Sequence, residues 1–153
     1  MAIDEILKES EFKEKLLEFM NTIDSYLLDI NCSYLKKEIK KNTLRIKLKF
    51  KLPKKTQLDC YYNNLRHSLV KSQIPINSFE YHEFLSYMHF VGYANDLGEY
   101  WIGIHDDRTV AVQVKQNNFR TVPENNTNRI PAFFKAIKES ISCYDETGEK
   151  LRQ

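Results

Sequence analysis

The chain has 153 residues, 42% of them hydrophobic and 29% charged, with a formal net charge of +2. That length supports one core that needs neither disulfide nor metal to fold, and only four Gly and four Pro argue against a loop-rich or disordered chain. No apolar run approaches the ~20 residues of a membrane-spanning helix, and MAIDEILKES carries acids where a secretion signal has a continuous apolar stretch, so a single cytoplasmic domain over 1–153 is expected.

Ser10 is placed to cap a long first helix in which Phe12, Leu16, Phe19, Met20, Ile23, Leu27 and Ile30 recur at helical spacing. Ile3, Ile6 and Leu7 suit a short turn before it, and Asn31 and Ser33 can end it. Tyr34 to Lys41 fits no single period. Thr43 to Leu52, TLRIKLKFKL, alternates apolar and basic residues throughout and predicts a strand that Pro53 closes.

Leu58 to Lys71 reads as a helix with Asp59 at its positive end and Leu58, Tyr61, Tyr62, Leu65 and Leu69 along one face. After Pro75, Ser78 is expected to cap a short helix carrying Phe79, His82, Leu85 and Met88, with its tail, Tyr87 to Tyr93, turning into strand. ANDLGE has turn chemistry. Tyr100–Ile104 and Thr109–Val114 predict a hairpin around HDDR, NNFRTV suggests a further strand, and PENNTN a loop. Asn128 caps a last helix with Pro131 in its first turn and Phe133, Phe134, Ile137, Ile141 and Tyr144 inward, ended by Gly148. Runs of each type imply α+β: an antiparallel sheet with a long N-terminal helix and a C-terminal helix packed on it.

The modest net charge hides a basic band. Between Lys36 and Lys55 stand ten cations (Lys36, Lys37, Lys40, Lys41, Arg45, Lys47, Lys49, Lys51, Lys54 and Lys55) against Glu38 alone, so the rest of the chain is net acidic. On the strand, Arg45, Lys47, Lys49 and Lys51 share one face about 6.7 Å apart. At that distance two charges in water repel by only ~0.6 kcal/mol. A strand can therefore carry the row as a plain solvated face, and lysines also guard an exposed edge. The functional reading is a track for phosphates or for an acidic protein surface. Stacking sites interleave aromatics with cations; the strand's aromatic, Phe50, has inward parity, which argues against a stacking platform. Asp96, Glu99, Asp106 and Asp107, at the tips of the expected hairpins, offer an acidic surface that would suit a basic cleft; turn chemistry is their ordinary use.

Catalytic signals are absent or weak. His105-Asp106 lies between strand-like runs, where Asp-rich tips make turns, unlike the helical setting of HD-type hydrolases. His82 and His89 would share a face of one helix, with no third ligand of matching spacing. A two-histidine ribonuclease using His67 or His105 requires convergence that spacing does not show. There is no phosphate-binding glycine loop, no G-x-S-x-G, and Cys32, Cys60 and Cys143 show no C-x-x-C spacing. The cysteines read as buried free thiols. No catalytic residue, metal or cofactor is assigned.

Residues 74–137 resemble the SUKH superfamily, whose bacterial members are commonly immunity proteins against secreted toxins. In IPINSFEYHEFL, Ile74, Pro75, Tyr81, Phe84 and Leu85 match its opening motif in type. YANDLGEYWIGI resembles its glycine-containing turn and central aromatic strand through Gly98, Tyr100 and Trp101, and NTNRIPAFFKAI its closing helix through Phe133 and Phe134. The motif around Pro75 stands further from the start than in the family, and its Asn-Gly element is missing. The resemblance implies a non-catalytic protein that binds and occludes a cognate toxin domain, such as a nuclease. The alternative from the residues alone is a small nucleic-acid-binding protein using the basic strand 43–52.

Overall fold

The structure, a computed structural model, describes residues 9–28, 30–82, 87–119 and 129–142. The elements are α1 (Glu9–Leu27), β1 (Cys32–Lys40), β2 (Thr43–Lys51), α2 (Leu58–Lys71), β3 (Ser78–His82), β4 (Tyr87–Ala94), β5 (Gly98–His105), β6 (Thr109–Gln116) and α3 (Arg129–Ser142). The strands form one antiparallel sheet in the order β1-β2-β6-β5-β4-β3. The two hairpin systems meet where β6, the last strand, pairs with β2. The expected α+β architecture is what forms.

One face of the sheet is covered. Leu44, Ile46, Leu48 and Phe50 of β2, Val110, Val112 and Val114 of β6, and Tyr100, Ile102 and Ile104 of β5 are buried. They share a core with Phe12, Ile23 and Leu27 of α1, Tyr61, Leu65 and Leu69 of α2, and Phe133, Phe134 and Ile137 of α3. α3 packs against both other helices. Its seam with α2 holds a buried polar pair: Ser140 Oγ donates to Ile137 O at 2.6 Å, so the Tyr61 hydroxyl supplies the proton of their 2.9 Å bond. Phe119, the last residue of the 117–119 turn, packs on α1, meeting Phe12 edge-on and Phe19 at 5.2 Å. At the edge strand, Lys37 reaches back to Asp24 of α1 at 2.6 Å.

Several expectations are corrected. Tyr34 to Lys40 belongs to strand β1, where pairing with β2 settles an undecided local pattern. Ser78 to His82 is strand, not the expected helix: it pairs with Tyr87 to Val91, and an alternation with Phe79 and Tyr81 on one parity prevails over helical spacing. Residues 83–86, including Phe84 and Leu85, lie outside the described residues. Asn117 to Phe119 is a turn, not the start of a further strand. The first helix already includes Glu9, so Ser10 is not its cap. Cys60 is exposed and Cys32 partly so, against the expectation of buried thiols. Cys143, Tyr144, Asn128, Gly148 and the turn at Ile3 to Leu7 fall outside the described residues.

Candidate functional site

Strand alternation gives the sheet a second face, on which no helix packs among the described residues. Because Leu44, Ile46, Leu48 and Phe50 point into the core, Arg45, Lys47, Lys49 and Lys51 point away from it. The pairing register carries this face across the sheet in rows. Tyr34, Lys49, Ala111, Gly103 and His89 form one row; Lys36, Lys47, Gln113, Trp101 and Val91 the next; Glu38, Arg45, Lys115, Glu99 and Tyr93 a third. The basic strand is not an edge: β1 covers it on one side and β6 on the other. Edge protection therefore does not explain its lysines.

Trp101 stands near the middle of this face, on the parity opposite to buried Tyr100 and Ile102. Its six-membered ring lies over Gly103, where a β-carbon would be 2.4 Å from Cη2 and 2.8 Å from Cζ2. Only glycine lets the indole lie this close to the backbone. The His89 ring is tilted 36° to it at 6.5 Å.

The ring separates two shallow grooves. One, of about 310 Å³, lies between Tyr34, Lys47 and Lys49 on one side and Trp101 on the other, floored by Ala111 and Gln113 of β6. The other, of about 340 Å³, is lined by Asn77, Val91, Tyr93, Glu99, Gln113 and Trp101. A third, of about 290 Å³, gathers Lys40, Lys41, Arg45 and Lys115 around Glu38, Thr43 and Asn117 at one end of the sheet. Glu38 lies 3.7 Å from Arg45 and 3.5 Å from Lys36, so the lone acid of the band offsets its neighbours. Among the described residues Lys47 and Lys49 form no ion pair, and their field falls on the first groove.

The expected site residues divide. Arg45, Lys47, Lys49 and Lys51 share the open face, with Lys49 and Lys51 exposed and Arg45 and Lys47 half-buried. The four acids do not form one cluster. Asp96 belongs to the β4–β5 turn and Glu99 to the start of β5, while Asp106 and Asp107 belong to the β5–β6 turn, so the two pairs lie at opposite ends of an eight-residue strand, about 23 Å apart. Asp96 is used internally: its carboxylate lies 3.2 Å from Arg129 Nε, and its carbonyl accepts the Arg129 N–H. Asp107 accepts the Thr109 N–H at 2.9 Å, which holds its carboxyl below the usual value and closes the turn. Glu99 pairs in register with Lys115 on the open face.

The stacking objection also falls differently. Phe50 is buried as its parity requires, yet Tyr34, from β1, and Trp101, from β5, bring aromatic surface beside the lysines. Neither neighbour was legible in the basic strand itself. The signal was the single tryptophan at the outward parity of an otherwise inward-packing strand.

The histidines are spread over both layers: His82 and His105 are the two register partners of Tyr87 and His89 pairs with Gly103, while His67 stands on α2. His82 and His89 stand on adjacent strands, where His82 pairs with Tyr87 and His89 with Glu80, so the shared helix face does not exist. His67 is exposed on α2, in the helix layer. Among the described residues no three His, Cys, Asp or Glu side chains are grouped to hold a metal. No helix among them is long and apolar enough to cross a membrane.

The open face thus has the make-up of a binding surface: a central tryptophan, a row of cations and two adjoining grooves. Compared with known protein families, curated proteins and solved structures, the chain matches none of them.

Proposed function

We propose that this chain is a non-catalytic immunity protein that neutralises a cognate bacterial toxin by direct binding and occlusion, with the open face of the sheet as the docking surface. The observation that carries the surface is Trp101 laid flat over Gly103 between two grooves. Tryptophan is enriched among residues that dominate protein interfaces, where truncation costs ~2 kcal/mol or more. The cation row beside it supplies charge complementarity to an acidic partner and suppresses basic ones. The immunity class is supported by the resemblance of residues 74–137 to the SUKH superfamily.

The test is rescue. The product of the gene immediately upstream is expressed alone and together with this chain. Survival only on co-expression, with a complex recovered by pull-down, is the expected result. Equal killing with and without the chain overturns the reading.

A second reading has its own observation: Lys47, Lys49, Tyr34 and Trp101 line one groove, the combination of cations and stacking surface that single-stranded nucleic acids use. Its mark is salt dependence, with log affinity falling by ~0.7 per phosphate contacted for each decade of salt.

A further inference from the structure

Resting on the reading of the chain as a protein-binding neutraliser, we infer that its partner seats an extended, acidic-to-apolar polypeptide segment across Trp101, carboxylates on the β2 side and apolar side chains on the β4 side. The two grooves that Trp101 separates differ in chemistry. The first presents Lys47 and Lys49 beside Tyr34 and takes carboxylates. The second presents Val91, Tyr93 and Asn77 together with Glu99, and takes apolar or hydrogen-bonding groups rather than carboxylates.

A uniform polyanion meets the β4 side of this surface unfavourably. It gains at Lys47 and Lys49, and at the four cations around Glu38 in the third groove, and is opposed by Glu99 in the second. A polypeptide can change character along its length, and a nucleic-acid backbone does not. The dimensions agree. From β2 across β6 and β5 to β4 is three strand spacings, about 14 Å, which an extended chain covers in four to five residues. Gln113, on β6, lines both grooves under the middle of that path, and its amide can both give and accept a hydrogen bond with a crossing backbone.

The experiment measures anisotropy of a labelled synthetic peptide, a glutamate block followed by phenylalanine and leucine, against the full chain at low salt. The controls are an all-glutamate peptide, a lysine-block counterpart and labelled oligo(dT). The acidic-apolar peptide should bind about tenfold more tightly than the all-glutamate one, a difference of ~1.4 kcal/mol. The lysine counterpart should not bind. Lys47→Glu with Lys49→Glu, and separately Trp101→Ala, should each weaken binding about tenfold. Ala111→Arg, which fills the groove floor without removing the indole, should do the same in a chain whose melt confirms that it folds.

Oligo(dT) binding as tightly as the peptide, and lost in the lysine variant, overturns the inference in favour of phosphate recognition. So does peptide binding that the variants leave unchanged, or no binding to any probe. The same variants in the rescue assay separate the two claims. Variants that rescue like the parent overturn this site while the immunity reading stands. A parent chain that never rescues overturns the immunity reading, whatever the peptide does.

Discussion

The Tyr100 ring occupies the space that a β-carbon on Gly92 would need. That carbon would lie 2.3 Å from Tyr100 Cε1 and 2.2 Å from the Pro75 carbonyl oxygen, and the Tyr100 hydroxyl crosses to donate to that same oxygen at 2.7 Å. One side chain thus ties the central strand, over its neighbour β4, to the segment leading into β3. Replacing Gly92 with alanine forces backbone or ring to move and should cost about 1–3 kcal/mol. In a domain of this size each kcal/mol lowers Tm by about 2–4 °C. A Gly92→Ala melt that overlays the parent would show that the close approach is not there.

The same tyrosine sets an alkaline limit. Burial raises its pKa far above the ordinary 10.0 because the phenolate is poorly solvated there. A raised folded pKa contributes stability that is fully present below the unfolded value. It is lost as pH climbs past about 10, because only the unfolded chain then releases the proton. Urea melts taken above that pH should show stability falling more steeply in the parent than in Tyr100→Phe. Parallel pH profiles for the two proteins would contradict this.

Trp101 is the only tryptophan in the chain, so its emission reports on the open face alone. Lys47 and Lys49 beside it concentrate anions, so quenching by iodide relative to caesium, each normalised to free N-acetyltryptophanamide, should be enhanced at low ionic strength. The enhancement should shrink with added salt, as screening at ~10 Å in 0.1 M salt requires. It should reverse in Lys47→Glu with Lys49→Glu. Equal normalised quenching by both ions would place the lysines' charge elsewhere.

Asp96 and Arg129 should prove structural. Their ion pair and backbone bond join the β4–β5 turn to the start of α3. The side chains are partly exposed, so a double-mutant cycle with Asp96→Asn and Arg129→Gln should give a coupling of about 0.5–1 kcal/mol. Asp96→Asn should leave toxin rescue intact. Loss of rescue in a chain of unchanged stability would return Asp96 to the docking surface.

The elements most legible in the sequence were those in which one period dominates. β2 announced itself through an unbroken alternation, and α2 was bounded at Leu58 and Lys71 by the same spacing that buries Tyr61, Leu65 and Leu69. Ser78 to His82 misled because helical and strand spacings coexist over so few residues. The choice fell to β4, whose backbone groups offered partners along the ladder. Tyr34 to Lys40 was undecided for the same reason, with β2 as its template.

The sequence by itself determined that this chain buries one side of a basic strand and turns its cations to solvent, because alternation at period two follows from backbone geometry alone. It could not tell what stands beside that row. Only the tertiary structure decided that Trp101 and Tyr34 flank the lysines and that the acidic turns lie at opposite ends of the sheet. Those relations come from strand order and register, set by the summed packing of every strand and helix.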